Sequence, residues 1–267
     1  MSNSCPAFVD IHCHLLPGLD DGASDWDEAL AMARLAQSEG TRTVIVTPHQ
    51  LGNYGGNRGQ TIRDQSAQLQ ELLDTHGVDL TILPGADVRI EPDLVAKIRS
   101  GDVLTLADQR RYVLLELPHE VYLPLERLLA ELAAAGIVGI LSHPERNQGL
   151  LGQPGIVDRL VDAGCLMQIT AGSLVGTFGP QVQSFAERLV AQGLVHFVAS
   201  DAHGVRARRP LMQRAFQRLV DLAGRQNACL WCATNPGCVA AGKSVARGRG
   251  RPIPGKSRGW FGWRKAG

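Results

Sequence analysis

The stretch Ala7–Asp21, AFVDIHCHLLPGLDD, begins as an apolar extended run and ends on two histidines one residue apart, a Pro-Gly turn and two carboxylates. Ala7–His12 reads as a strand, with β-branched and aliphatic residues bounded by turn formers. Alternate residues of a strand share a face about 7 Å apart, so His12 and His14 can converge on one ion while Cys13 faces the other way. By its letters alone the H-x-H motif describes a polar turn equally well. What surrounds it decides between the two.

The same construction recurs along the chain. Short apolar runs at Arg42–Thr47, Leu80–Leu83, Tyr112–Leu117, Ile137–Ser142, Leu166–Thr170 and Val195–Ser200 make seven expected strands. Between them lie segments of helical period near 61–75, 121–135, 155–164, 179–192 and 208–224. The first helix is expected to start at Ser24 as N-cap, with Asp27 three residues on, and to stop at Gly40. Strands alternating with helices point to an α/β fold with parallel strands. Folds of this kind, α/β barrels above all, place chemistry at the C-terminal ends of the strands. Strand one here ends in His12 and His14, and strand two in His49. Asp87 follows strand three, Glu116 stands on strand four, His143 ends strand five, and Asp201 and His203 end strand seven. Five of the eight histidines fall at strand ends, leaving His76, His119 and His196 as surface or core residues. With Asp21, these groups supply mixed N and O donors, too many for one tetrahedral ion and suited to two or three hard divalent cations. Such clusters bind phosphoryl oxygens and activate water. Beside His143 stands Arg146, in HPER; its planar fork matches phosphate and stays charged at any working pH.

Composition narrows the class. The chain has 267 residues, 27 basic and 26 acidic, a formal net charge of +1. Eight of the basic residues and none of the acidic ones lie in 243–267, so residues 1–242 carry 19 against 26, a net of −7. The expectation is one domain over 1–242 and a basic tail over 243–267 with too much Gly and Pro to pack. Trp260, Phe261 and Trp263 among the basic residues of that tail could touch an anionic membrane surface, nucleic acid or the acidic body itself; membrane contact is the partner expected of the tail, and no nucleic-acid partner is expected. No signal peptide is visible, and the longest uncharged apolar run, Leu132–Leu141, is far below the roughly 18 residues of a span. The six cysteines then read as reduced thiols in the cytoplasm. None has Arg six positions later, which excludes the thiolate phosphatase loop. Gly237–Ser244, GCVAAGKS, matches the P-loop pattern but lacks a preceding strand, and Cys229-Leu-Trp-Cys232 lacks a second pair to close a zinc site.

These residues, with VTPH (46–49), LPGADVRI (83–90), LSHPERN (141–147), QITAGSLVGTFG (168–179) and VHFVASDAH (195–203), resemble the bacterial PHP-superfamily protein-tyrosine phosphatases of capsular and exopolysaccharide clusters. The similarity spans roughly residues 7–242 in order. It implies a distorted TIM-like barrel of seven βα units with the metal site at the C-terminal ends of the strands. It also implies two or three ions, Mn²⁺ first, with Fe, Zn or Mg as alternatives. The ligands implied are His12, His14, Asp21, His49, Asp87, Glu116, His143, Asp201 and His203, while Asp20 serves the turn. Arg146, Asp201 and His203 are assigned to catalysis, and Arg146 with Arg209 to substrate binding. The family commonly carries Glu where this chain has Asp87 and a second His where it has Gln50. The implied activity is hydrolysis of phosphotyrosine in proteins by activated water, on a partner such as a bacterial tyrosine kinase of the polysaccharide export system. Other readings are a different PHP phosphoesterase such as a histidinol-phosphate phosphatase, an amidohydrolase, which usually needs a strand-borne lysine absent here, or a non-catalytic scaffold docking through its tail.

Overall fold

The structure, a computed structural model, describes residues 5–253. Its strands are β1 (Phe8–Cys13), β2 (Thr41–Val46), β3 (His49–Gln50), β4 (Thr81–Pro84), β5 (Asp87–Arg89), β6 (Tyr112–Glu116), β7 (Val138–Ser142), β8 (Leu166–Thr170) and β9 (Phe197–Ala199). Helices α1 (Trp26–Ser38), α2 (Gly59–Thr75), α3 (Leu94–Ser100), α4 (Glu126–Ala134), α5 (Gln148–Gly152) and α6 (Gly155–Asp162) alternate with them. After β8 come α7 (Ala171–Leu174), α8 (Pro180–Ala191), α9 (Met212–Ala223), α10 (Arg225–Cys229) and α11 (Asn235–Ala240). The seven strands read from the sequence are all present, within two residues of their expected bounds. The short β3 and β5 are additional, and at two and three residues carry no periodic signal.

Every strand pairing is parallel, in two sheets of order β1-β2-β4 and β3-β5-β6-β7-β8-β9. The sheets are one chain path: β3 and β5 repeat the β2–β4 pairing a few residues further on, with His49 beside Asp87. Gly85 lets that path pass, since a Cβ there would lie 2.7 Å from Ile45 Cγ2. At the C-terminal ends the backbone joins in turn. Asp201 N–H donates to His12 O (2.7 Å), His14 N–H to Ala202 O (2.9 Å), Thr47 N–H to Cys13 O (2.9 Å) and Asp87 N–H to Pro48 O (3.2 Å). Beneath this rim, Ile11, Ile45, Leu114, Ile140, Leu166, Phe197 and Ala199 from six strands form one apolar cluster, a floor that excludes water from the site above.

Several expectations are corrected. Helix α1 is capped by Asp25, whose carboxylate accepts from Glu28 N–H, not by Ser24, which instead donates through Oγ (2.8 Å) and N–H (3.0 Å) to Glu28 Oε2. Cys5 and Cys229 are joined as a disulfide, their Cα atoms 5.5 Å apart, so not all six thiols are free; the segment before β1 runs alongside α10. Cys13, Cys165 and Cys232 are free and buried. His196 bonds Met167 N–H and Gly248 O through its two ring nitrogens and belongs to the core, whereas His76 and His119 are exposed. Gly237 lies in α11, which follows another helical turn at Leu230–Thr234, so the P-loop letters lack their strand.

Residues 243–253 are tied to the body at several points, though most of them are exposed. Gly and Pro do not prevent this, because the segment is held through its backbone and arginines. Gly250 N–H donates to Gly193 O (2.8 Å) and Ile253 N–H to Ala191 O (2.9 Å), while Arg249 pairs with Asp158 and Asp162. The aromatic part of the tail lies outside the described residues. The buried Tyr112 hydroxyl donates to Lys243 O (2.8 Å) and accepts from Val245 N–H (3.0 Å). Tyr112→Phe therefore leaves two backbone groups unpaired and is expected to lower stability by about 1–3 kcal/mol. Denaturant unfolding with the midpoint of wild type would contradict this.

Candidate metal centre

The expected donors reach the rim from six strand ends and the loops that follow them. His12 lies in β1 with His14 just beyond it, Asp21 sits in the β1–α1 loop, His49 in β3, Asp87 in β5 and Glu116 at the end of β6. His143 and Asp201 follow β7 and β9 with left-handed φ values of 33° and 50°. Asp and His adopt this conformation more readily than most non-Gly residues, yet at a cost, and it persists where the surroundings over-determine it. The nine residues converge into four overlapping groups: His14, Asp21, His49 and His203; His12, His14 and Asp87; His12, His143 and Asp201; and His49, Asp87 and Glu116. Within each group one N or O atom from every member lies within 4.8 Å of the others. Asp87, though one methylene shorter than the Glu common in the resembling family, belongs to two groups and spans between them, 3.4 Å from His12 Nε2 and 3.5 Å from His49 Nδ1. Gln50 points away and bonds Asn57 O, Asp102 O and Leu104 N–H.

The imidazoles are oriented by neighbours that the sequence does not advertise. His12 Nδ1 meets Gln168 Oε1 at 2.9 Å, and His14 Nδ1 meets Asp20 Oδ2 at 2.7 Å. An amide oxygen and a carboxylate only accept, so both rings carry their proton on Nδ1 and turn Nε2 toward each other, 3.2 Å apart. His203 does likewise, with Nδ1 at 3.0 Å from Asp201 O and Nε2 at 3.3 Å from Asp21 Oδ1. Asp20 thus does more than serve the turn. Its other oxygen accepts Gly22 N–H, its Oδ2 also accepts His49 N–H, and it fixes two site histidines at once. Gly22 is required there, for a Cβ would come within 2.6 Å of His14 Cβ.

The electrostatics suit cations. Burial, with His203 alongside, pushes His14 down to about 3, which leaves it neutral with a free lone pair. Burial alone would raise Asp20, but His14 and the Gly22 and His49 amides bring it down to about 2, so the orienting group is a carboxylate. Burial opposes charge on His12 too, yet Asp201 and Asp87 overcome it and raise the ring to about 9. A metal binding through His12 Nε2 at neutral pH must therefore displace a proton. Burial and the Asp87 charge push Glu116 up to about 7. Both oxygens of the fully buried Asp87, together with His49 Nδ1 and His203 Nε2, have no hydrogen-bond partner. Buried acceptors without donors are costly unless they hold ions, so the donor set fits divalent cations.

Two arginines face this cluster through Asp201. Arg146 Nη1 donates to Asp201 Oδ2, with its Cζ 4.3 Å above the Phe178 ring, and Arg208 Nη2 donates to Asp201 Oδ1 at 2.7 Å. Arg209, expected to bind substrate, is exposed, whereas Arg208, held in the left-handed region, turns inward onto Asp201. The run RARR (206–209) gave no periodic signal to choose among its arginines. Arg208, Asp21 and His203 line one cleft of about 570 Å³; His49, Tyr54, Arg89 and Glu116 line a second of about 190 Å³.

Comparison with known proteins fits this geometry. The profile of the family described as "Capsular polysaccharide synthesis, CpsB/CapC" matches residues 8–240. The tyrosine-protein phosphatase YwqE of Bacillus subtilis (strain 168) is 39% identical over 210 residues, 78% of this chain and 82% of the relative. The tyrosine-protein phosphatase CpsB of Streptococcus pneumoniae is 29% identical over 235 residues, 86% of this chain and 96% of the relative. A crystal structure from work on YwqE and CpsB, described as metal-dependent tyrosine phosphatases, superposes with a TM-score of 0.87 at 35% identity, covering 92% of this chain and 99% of that one.

If Asp20 orients His14 for an ion, Asp20→Asn is expected to weaken binding of Mn²⁺ about 10- to 100-fold, as loss of such a partner does elsewhere. Titration of the metal-free protein measures this directly. Unchanged affinity would reduce Asp20 to a turn residue.

Proposed function

The chain belongs to the CpsB/CapC family of capsular polysaccharide synthesis, and on that premise we propose that it is a metal-dependent phosphatase that removes phosphate from phosphotyrosine in proteins. The observation that carries the reading is the convergence of nine N and O donors with two arginines at the strand ends. His12, His14, Asp21, His49, Asp87, Glu116, His143, Asp201 and His203 would hold two or three ions. The mixed imidazole and carboxylate set suits Mn²⁺, with Fe, Zn or Mg as alternatives. Bound there, such ions supply Lewis acidity, neutralising phosphoryl oxygens and acidifying water.

The chain's own residues do the rest. Arg146 and Arg208 present guanidinium N–H groups beside the cluster, each already aimed by Asp201, and both bind the equatorial oxygens as charge builds on them. Phe178 under Arg146 and Asp201 against both arginines limit their swing, so little reorganisation accompanies the transition state. His203 keeps its Nδ1 proton on the Asp201 carbonyl, which leaves Nε2 facing Asp21. A phenolic leaving group, with a pKa near 10, needs little protonation as it departs, and no side-chain nucleophile is required. The free cysteines Cys13 and Cys165 are buried with their thiols pushed up by that burial, which suits no attacking role. As architecture we infer the distorted barrel of seven βα units, supported by the backbone bonds that join β9's end to β1. The partner proposed is a tyrosine kinase of a polysaccharide export system, in the cytoplasm.

The test is turnover of a phosphotyrosyl peptide by the metal-loaded chain. Arg146→Ala should lower kcat/KM about 10²- to 10³-fold with bound metal retained, and His143→Ala should lose metal together with turnover. Stoichiometric metal without turnover in wild type would leave a scaffold, and faster hydrolysis of histidinol phosphate would leave a different phosphoesterase.

A further inference from the structure

The two clefts beside the metal cluster differ in chemistry. The larger is bordered by Arg208 and His203, which suit a phosphoryl oxygen, together with the carboxylates of Asp21 and Glu28. The smaller adjoins His49 and Glu116 and has an aromatic wall, Tyr54. The Tyr54 ring stacks on His49 with centroids 5.2 Å apart and planes at 22°, and is only partly buried, so it remains accessible from the cleft. Another aromatic ring near the cluster, Phe178, has its face taken by Arg146. Phe8, Tyr112, Phe185, Phe197, Phe216 and Trp231 are buried in the core.

Tyr54 is also held in place in advance. Its loop turns through Leu51 and Gly52, both at positive φ (69° and 54°), and closes with Tyr54 N–H on Leu51 O (2.9 Å) and Asn57 N–H on Tyr54 O (3.0 Å). Asn57 Nδ2 ties the loop to Leu19 O and His49 O, both at 2.8 Å, and Gly52 N–H ties it to Glu91 Oε1 at 2.8 Å. A strained turn anchored from three elements, with a tyrosine at its tip against a site histidine, is more than a surface loop requires.

We propose that Tyr54 is a specificity residue, forming the wall on which the aromatic ring of the substrate's leaving group stacks. The inference rests on the phosphatase reading above and names the part of that site which selects an aryl ester. Offset stacking of two rings adds to the apolar contact they make, whereas an alkyl ester presents no ring to Tyr54. The aryl preference thus arises in ground-state binding, besides the better leaving ability of phenolate.

Calorimetry on the metal-loaded full chain, with phenylphosphonate and methylphosphonate as probes that are not hydrolysed, measures the preference apart from turnover. Wild type should bind phenylphosphonate more tightly. Tyr54→Ala should narrow the ratio of the two affinities by about fivefold, the order of one aromatic stack, and Tyr54→Phe, which keeps the ring, should restore it with bound metal at the wild-type level. A ratio unchanged in Tyr54→Ala, both ligands weakening together, or a Tyr54→Phe variant that behaves like Tyr54→Ala would overturn the assignment. A preference that depends on Tyr54 in a chain without phosphatase turnover would instead leave the subsite standing and remove the reading it rests on.

Discussion

Asp201 bears the constraint on which the site depends. Its carboxylate is buried, lies 3.3 Å from His12 Nε2 and 3.6 Å from His14 Nε2, and takes hydrogen bonds from Arg146 and Arg208. A buried carboxylate survives only when it is paired; burial works against its charge, yet His12, Arg208 and Arg146 hold Asp201 ionised well below the ordinary carboxylate range. The position exists because the backbone of β1 bonds to the turn after β9, with Asp201 N–H on His12 O at 2.7 Å. Sheet pairing, ligand placement and arginine orientation thus meet at one residue. The left-handed backbone at Asp201 and His143 is what such over-determination sustains.

From this follows a division of labour around the rim. Imidazole nitrogens and carboxylates face inward, and their outward atoms are anchored by Gln168, Asp20 and the Asp201 carbonyl. Glu145 does the same for the HPER turn without entering the cluster. Its buried Oε1 accepts Thr170 N–H (2.8 Å) and the Ser173 hydroxyl (2.7 Å), tying the turn that carries His143 and Arg146 to α7. Rigid anchoring of this kind is what a site needs when its catalysis is electrostatic, because donors set in advance need no rearrangement as charge develops.

Much of this was legible in the sequence because parallel strands buried on both faces leave continuous apolar runs, and a polar residue ending such a run is conspicuous. His12, His49, His143 and Asp201 stand out for that reason. Glu116 is legible only by its position on a strand, without a sharp motif, and Asp21, which lies in a loop, needed the family resemblance to be told from Asp20. Arg208 was missed in favour of Arg209 because irregular backbone gives side-chain direction no period, and Asp20 was read as a turn residue because a carboxylate's reach to His14 depends on three-dimensional packing. The short β3 and β5 escaped for want of length. The attachment of 243–253 to the body escaped because it uses backbone bonds and arginine pairs rather than an apolar pattern.

The central claim is that this buried donor set works through ions. It is tested most directly by titrating the metal-free protein with Mn²⁺ while following bound metal and aryl-phosphate hydrolysis on the same samples. The account predicts no hydrolysis before metal is added, then a rise that tracks binding and saturates at about two to three ions per chain. Hydrolysis by the fully metal-depleted chain, or saturation with metal that leaves hydrolysis absent, would contradict it.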